Sequence, residues 1–488
     1  MAFKKLTTRP EMHTRALLLL ASICLLLTAC TTVSFPELNL KDEVTFESDD
    51  RILILAPHPD DEVIACGGVI QKALAKGLPV HVAYLTYGDN NEWAFIRYEK
   101  RVLIAPQSIR NMGLVRRLEG IAACEVLGLP PEDLSFLGYP DFGTLTIWNN
   151  RWNSSPPFRS MLTRVTVVPY TNAFHFGALY KGESILGDLT QIFRSFRPTK
   201  IFVSHPEDQN PDHRSLYLFT RVALWDLRQE LKAELLPYLV HFKSWPLPKG
   251  YRPDQTLSPP ESMSEGIPWK VLNLNEDELA LKREALRKHK TQYDYSHVYL
   301  ESFLRKNEFF GDYPVVELTN NHEDKELGGE KDLLNPPEEL SPEQRARYTG
   351  VQRRYIRLED RELVLNVTLS KPLANTVGAV VELFGYRSDK PFADMPKIKV
   401  TIGPLAHTVY DQFNALPAQS VRVVRRAREF TLRIPLEIIG NPEKILTSAR
   451  INAGGLPLSW AAWRVLKVPP SAGKPLDAHA QRVAVPVL

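Results

Sequence analysis

Four ionisable side chains occupy His58-Pro59-Asp60-Asp61-Glu62, between the apolar runs Ile52 to Ala56 and Val63 to Ile70. A capped helix start needs one such residue, so the density exceeds what capping asks. His58 and Asp61, three apart across a proline-flanked loop, can face one point and ligate a divalent ion. Asp60, spare beside them, can move a proton. A second cluster, His205-Pro206-Glu207-Asp208-Gln209-Asn210-Pro211-Asp212-His213-Arg214, follows the apolar run Lys200 to Ser204. A catalytic zinc site keeps three protein ligands and one open position for water. The first cluster offers two, which leaves His213 or its rival His205 as the third.

The elements that must hold these clusters are legible as an alternation. Ile52–Ala56, Val80–Thr86, Leu134–Leu137, Lys200–Ser204 and a run near Tyr238–Phe242 read as strands. Helical stretches lie between them, at Val63–Lys76, Val115–Leu127, Gly182–Phe196 and Ser215–Leu231, and a charged helix over Glu276–Gln292 follows. That pattern predicts a Rossmann-like α/β fold, a mostly parallel sheet with helices on both faces. In such sheets ligands bind outside the carboxyl ends of the strands, where both clusters fall. Phe142 to Tyr180 is long for a connection without regular structure. It carries Trp148, Trp152, Phe158, Tyr170, Phe174 and His175, whose rings either stack on sugars near the site or pack the insertion onto its own domain.

From Asn320 to Pro342 the composition shifts, with Gly328-Gly329 and Pro336-Pro337 marking a linker. Beyond it, Leu363–Leu369, Gly378–Phe384, Ile398–Ile402, Phe430–Ile434 and Leu456–Leu466 read as strands of a β-sandwich-like domain. The expected boundaries are 1–30 signal, 31–50 tether, 51–315 α/β domain, 316–345 linker, 346–470 β-rich domain and 471–488 disordered tail.

At 488 residues, with 44% hydrophobic and 24% charged, the chain can bury two sizeable cores. Its formal charge of +3 comes from Lys4, Lys5, Arg9 and Arg15 against Glu11. The remainder is near neutral, which argues against a nucleic-acid partner. Basic residues, the apolar run Ala16–Leu27 and Leu27-Thr28-Ala29-Cys30 form the three parts of a secretory signal. The run falls short of the about 20 residues that span a bilayer. Leu-Thr-Ala-Cys resembles the lipobox of bacterial lipoproteins, which implies lipidation at Cys30 and attachment to a membrane through that lipid. Thr31, where an inner-membrane retention signal carries Asp, points to the outer membrane. Cys66 and Cys124 read as buried small hydrophobes.

The string Pro57-His58-Pro59-Asp60-Asp61-Glu62, after a strand and before a helix, resembles the signature of the PIG-L/LmbE-type zinc-dependent N-deacetylases. Arg116 and Glu119, Gly138-Tyr139-Pro140-Asp141, Pro211-Asp212-His213 and His289-Lys290-Thr291-Gln292 also match, over roughly residues 50 to 310. The resemblance implies His58, Asp61 and His213 as ligands of Zn2+, with another divalent ion an alternative. It makes Asp60 the general base, and Asp212 and Glu62 groups that orient ligands. Arg116, Asp141 and His289, with Trp148 and Trp152 from the insertion, are candidates to meet the substrate. Where many members carry His-Pro-Asp-His this chain has Asn210-Pro211-Asp212-His213, so oxyanion support falls to Asn210 or to His205. The implied reaction removes the acetyl group of an N-acetylglucosamine-type sugar or envelope glycan. The alternative is a silent glycan-binding or scaffolding lipoprotein.

Overall fold

The structure is a computed structural model that describes residues 42–90, 105–330, 341–373, 377–454 and 456–470. The expected signal, lipobox and C-terminal tail lie outside these residues. Among the described residues no helix is long and apolar enough to cross a membrane.

The first lobe is built from β1 (Asp42–Glu43), β2 (Ile52–Ala56), β3 (Val80–Thr86), β4 (Leu134–Tyr139), β5 (Lys200–Ser204), β6 (Glu234–Tyr238), β7 (Lys270–Asn273) and β8 (Asn307–Phe310). Its helices are α1 (Asp61–Ala75), α2 (Pro106–Val126), α3 (Thr144–Asn150), α4 (Gly182–Phe196), α5 (Pro211–Asp226), α6 (Glu276–Leu286) and α7 (Lys290–Leu300). Five strands form one parallel sheet in the order β4-β3-β2-β5-β6. All five residues of β2 are buried, as an unbroken Ile/Leu run covered on both faces requires. The chain steps outward from β2 to β4, then returns to β5 on the other side. Order therefore reverses between β2 and β5, and a crevice opens beyond their carboxyl ends. Both ionisable clusters follow those two strands.

Several boundaries differ from the sequence reading. Helix α5 begins at Pro211, because Asn210 caps it with a side chain that accepts the Asp212 amide and proline suits the first helical position. The last sheet strand is Glu234–Tyr238, an edge position where Pro237 is tolerated. His241 is thereby moved into the loop beyond it. The single helix expected over Glu276–Gln292 is two, opened by an Asn275/Glu278 capping box and interrupted before Lys290. The tether ends earlier than expected, since β1 pairs with β7 and Val44 and Phe46 are buried.

The second lobe comprises β9 (Val316–Glu317), β10 (Lys325–Glu326), β11 (Val351–Glu359), β12 (Glu362–Leu369), β13 (Val377–Tyr386), β14 (Lys397–Ile402), β15 (His407–Asp411), β16 (Asn414–Leu416), β17 (Arg422–Arg426), β18 (Glu429–Pro435), β19 (Lys444–Ala453) and β20 (Leu456–Lys467). One sheet runs β10-β11-β12-β18-β17 and the other β16-β15-β14-β13-β19-β20-β9, antiparallel except where β20 meets β9. Alternating residues such as Leu363, Leu365, Val367 and Leu432, Ile434 fill the space between them. The described part of the expected linker is not a free connector, since it supplies β9 and β10 to the two sheets.

The lobes share a core. Trp148 on α3 is fully buried and lies against Phe384, Phe392 and Trp463, with ring centroids 5.7, 5.3 and 6.3 Å away. Trp152, also fully buried, meets Phe392 at 5.1 Å. The aromatic insertion therefore joins the lobes. Trp148 and Trp152 have no face left for a sugar, which corrects their assignment as substrate contacts.

Candidate active site

Beyond Ala56 the chain turns sharply, and Asp60 takes a backbone φ of 142° that few non-glycine residues adopt. The turn is closed by the His58 amide, which donates to Asp61 Oδ2 at 3.0 Å. The same oxygen lies 3.3 Å from His58 Nδ1 and 3.2 Å from His213 Nε2. One ligating atom from each of His58, Asp61 and His213 falls within 4.8 Å of the other two, and all three residues are buried. The three sequence-predicted ligands are thus brought together, two from the end of β2 and one from the first turn of α5.

Each imidazole is fixed by carboxylates on its far side. His213 Nδ1 lies 3.1 Å from Asp208 Oδ2. Asp208 is itself held by the amides of Val240, His241 and Asn210 at 3.1, 2.9 and 2.9 Å. His58 Nε2 is 3.0 Å from Asp141 Oδ1 and 3.4 Å from Asp212 Oδ2. Asp212 in turn accepts the Phe142 amide at 2.5 Å, the Thr144 amide at 3.1 Å and the Thr144 hydroxyl. Carboxylates on one ring nitrogen leave the other free to ligate.

Electrostatics favour a cation at this point. Burial opposes charge on both rings, yet Asp141 and Asp212 hold His58 well above its ordinary range. His213 is pushed up to about 9 by Asp208 and Asp61 against the same burial. Burial would raise Asp61, but His213 and His58 hold its carboxyl well below the usual range. A metal ion satisfies the same demand for positive charge and competes with those protons. Neither ring nitrogen of His213 has an aligned hydrogen bond in the buried site, which leaves a nitrogen free to ligate. The residues present therefore fit a divalent ion.

Asp60 lies beside this group, partly exposed, and its amide donates to Glu62 Oε2 at 2.9 Å. Burial pushes its carboxyl up to about 7, with Arg116 pulling the other way and Asp61 adding to the rise. Arg116 Nη2 is 3.5 Å from Asp60 Oδ1 and donates to Pro59 O at 2.8 Å, while Nη1 donates to Gly88 O at 2.8 Å. Gly88, at φ 65°, must be glycine, since a Cβ would sit 2.1 Å from that nitrogen.

Three expected substrate contacts are reassigned by this geometry. Arg116 is buried against the loop that carries Asp60. Asp141 backs His58. His289, fully buried, lies 2.8 Å from Glu62 through Nε2. Glu119 holds the same corner by accepting the Thr291 amide and hydroxyl at 2.9 and 2.6 Å. Both candidates for oxyanion support are also moved. The Asn210 side-chain oxygen caps α5, and His205 is buried between Trp269 and Tyr313, 5.5 and 5.2 Å away. Burial drops His205 to about 3, which keeps it neutral. His175, on the insertion, hydrogen bonds Asp188 of α4, apart from this chemistry.

Sequence reasoning missed Asp208, Thr144 and His241. The His241 ring lies 4.7 Å from that of His213, and it is partly exposed where the ligands are not. Its position after a strand of the same sheet was the one available signal. Cys66 and Cys124 are free and buried.

Residues 53–224 match the family described as PIG-L, GlcNAc-PI de-N-acetylase. The chain is 34% identical over 93 residues to the 2'-N-acetylparomamine deacetylase of Streptomyces fradiae, covering 19% of this chain and 30% of that protein. It is 28% identical over 183 residues to the 1D-myo-inositol 2-acetamido-2-deoxy-alpha-D-glucopyranoside deacetylase 1 of Saccharopolyspora erythraea, covering 37% and 55%. A solved structure, the N,N'-diacetylchitobiose deacetylase of Pyrococcus horikoshii, is 18% identical with a TM-score of 0.33, covering 63% of this chain and 94% of that one. The chain spans about a third to a half of the length of the curated relatives it matches first. With the motif residues assembled at the crevice, residues 53–224 form a PIG-L family domain.

Proposed function

We propose that the protein is a zinc-dependent N-deacetylase acting on an N-acetylglucosamine-type sugar or envelope glycan. The observation that carries this reading is Asp60, a raised carboxyl standing beside two imidazoles and a carboxylate that converge on one point. The names of the two relatives given above, both deacetylases of N-acetylated sugar compounds, support the substrate class. His58, Asp61 and His213 hold the ion, which when bound polarises the amide carbonyl and makes water acidic enough to react near neutral pH. Asp60 accepts the proton of the attacking water. That proton passes to the leaving nitrogen as its bond to the carbonyl carbon breaks, giving free amine and acetate. Arg116 and Glu62 hold Asp60 in register. The lipobox-like Leu27-Thr28-Ala29-Cys30 supports anchoring through Cys30 at the outer membrane, where such glycans are accessible.

The test is acetate release from N-acetylglucosamine oligomers by protein lacking residues 1–30, with and without a chelator. Chelator-sensitive release restored by Zn2+ is the expected result. Metal bound at one equivalent with no release from a broad panel of N-acetylated glycans would sink the reading.

A further inference from the structure

The first turn of α5, which delivers His213, and the loop before it are gripped from outside the family domain. Arg214, next in sequence to the ligand, lies with its guanidinium 4.5 Å over the ring of Trp460 on β20. Its Nη2 donates to Gln209 O at 3.4 Å while its Nε is buried without a hydrogen bond, so the indole face is one of the few close contacts that fix the guanidinium. Further back, in the loop before α5, Glu207 accepts the Tyr313 hydroxyl at 2.7 Å and feels the charges of Arg354 and Arg464 from β11 and β20. Arg464 lies 4.3 Å over the Tyr313 ring and donates to Leu327 O at 2.9 Å. Arg354 is buried and ties β11 to Leu327 O and to Ala462 O on β20.

A second path reaches the other histidine. The start of α3 donates the Thr144 amide and hydroxyl to Asp212, which backs His58. The end of the same short helix is set by Trp148 against Phe384, Phe392 and Trp463. Lys399 on β14 donates to Asn150 Oδ1 at 2.9 Å, which adds a polar tie at that end. A seven-residue helix has little stability of its own. Its orientation is therefore set from outside, by Phe219 of α5, whose ring lies 5.0 Å from that of Trp148, together with the β lobe.

We propose that the β lobe is a structural part of the metal centre, with Trp460 acting through Arg214 as a positioning residue for His213. The lobe grips the ligand set from two directions. This inference rests on the proposed ligand set of His58, Asp61 and His213 but not on the substrate, so it survives a failure to find acetate release.

The test measures Zn2+ affinity of the full mature chain by competition with a chromophoric chelator, for wild type, Trp460→Ala, Trp460→Phe and Arg214→Ala. Loss of an outer support typically costs a site about 10–100-fold in metal affinity. Trp460→Ala is expected near the low end, roughly 10-fold weaker. Trp460→Phe, which keeps a ring face, is expected to recover most of that loss. The double variant Arg214→Ala/Trp460→Ala should lose little beyond the single changes, as coupled residues do. Zn2+ affinity within twofold of wild type in Trp460→Ala would overturn the proposal, as would full additivity of the two changes. Thermal melting of the metal-free variants, expected to stay close to wild type, separates positioning from a general loss of the fold.

Discussion

Asp208 Oδ2 lies 3.1 Å from Nδ1 of His213, and the same oxygen takes the amides of Val240 and His241. One buried carboxylate thus joins the loop after β5 to the loop after β6 and turns Nε2 of His213 toward Asp61 and the candidate metal point. Replacing Asp208 with Asn keeps the shape but lets the amide present either a donor or an acceptor to the ring. Metal affinity is expected to fall about 10–100-fold, read by chelator competition, with the fold retained by circular dichroism. Unchanged affinity would show that His213 is oriented by packing alone.

Asp60 is placed to move protons and makes no contact needed to hold the ion. Asp60→Asn is expected to keep one equivalent of metal and to lower kcat about 10²–10⁴-fold. Loss of metal from this variant would instead make Asp60 part of the ligand set.

The pH profile follows from the burial of Asp60, which puts its carboxyl at about 7. A base works only when ionised, so the rate should rise as pH rises through that region. Positive charge held by His58, Asp61 and His213 draws the midpoint down, so the acid limb of kcat/KM should centre at or below about 7. Arg116 also pulls it down, so Arg116→Met should move the limb to higher pH. A limb that stays in place would mean a different group governs the rate.

Away from the crevice, Lys282 Nζ and Glu308 Oε1 form a buried pair 2.6 Å apart, and Glu308 also accepts the amides of Gly68 and Val69. Removing one member leaves the other charged and unpaired in the interior. Lys282→Met is expected to cost about 3–5 kcal/mol in denaturant unfolding. The double change Lys282→Met/Glu308→Gln should recover part of it, because the stranded charge is gone.

The candidate ligand group was legible because His58 and Asp61 follow β2 and His213 follows β5 within compact motifs, where order along the chain is nearly order in space. Asp60 was legible for the same reason. Asp208 was not, since its value depends on β6 lying beside β5 and on the His213 ring turning toward it. Trp148 and Trp152 misled because aromatic rings near a hydrolytic site suit either sugars or a core. Their cover lies far along the chain, as with Asn153, which reaches Ala393 240 positions on. Strands of two residues such as β9 and β10 have no period to read, so a linker was the natural expectation there. Arg116 and His289 matched a motif correctly, but a motif names residues without saying which way they face.

The shared aromatic core has a consequence for how the chain is made. Synthesis runs from the N-terminus, and early domains fold while later ones are still being added. When α3 leaves the ribosome, Phe384, Phe392 and Trp463, which enclose Trp148, have not yet been translated. At ~5–20 residues per second that interval lasts roughly 10 to 60 s. For that time Trp148 and Trp152 have only first-lobe partners such as Phe219 to cover them, so part of an apolar face stays open until the second lobe is made.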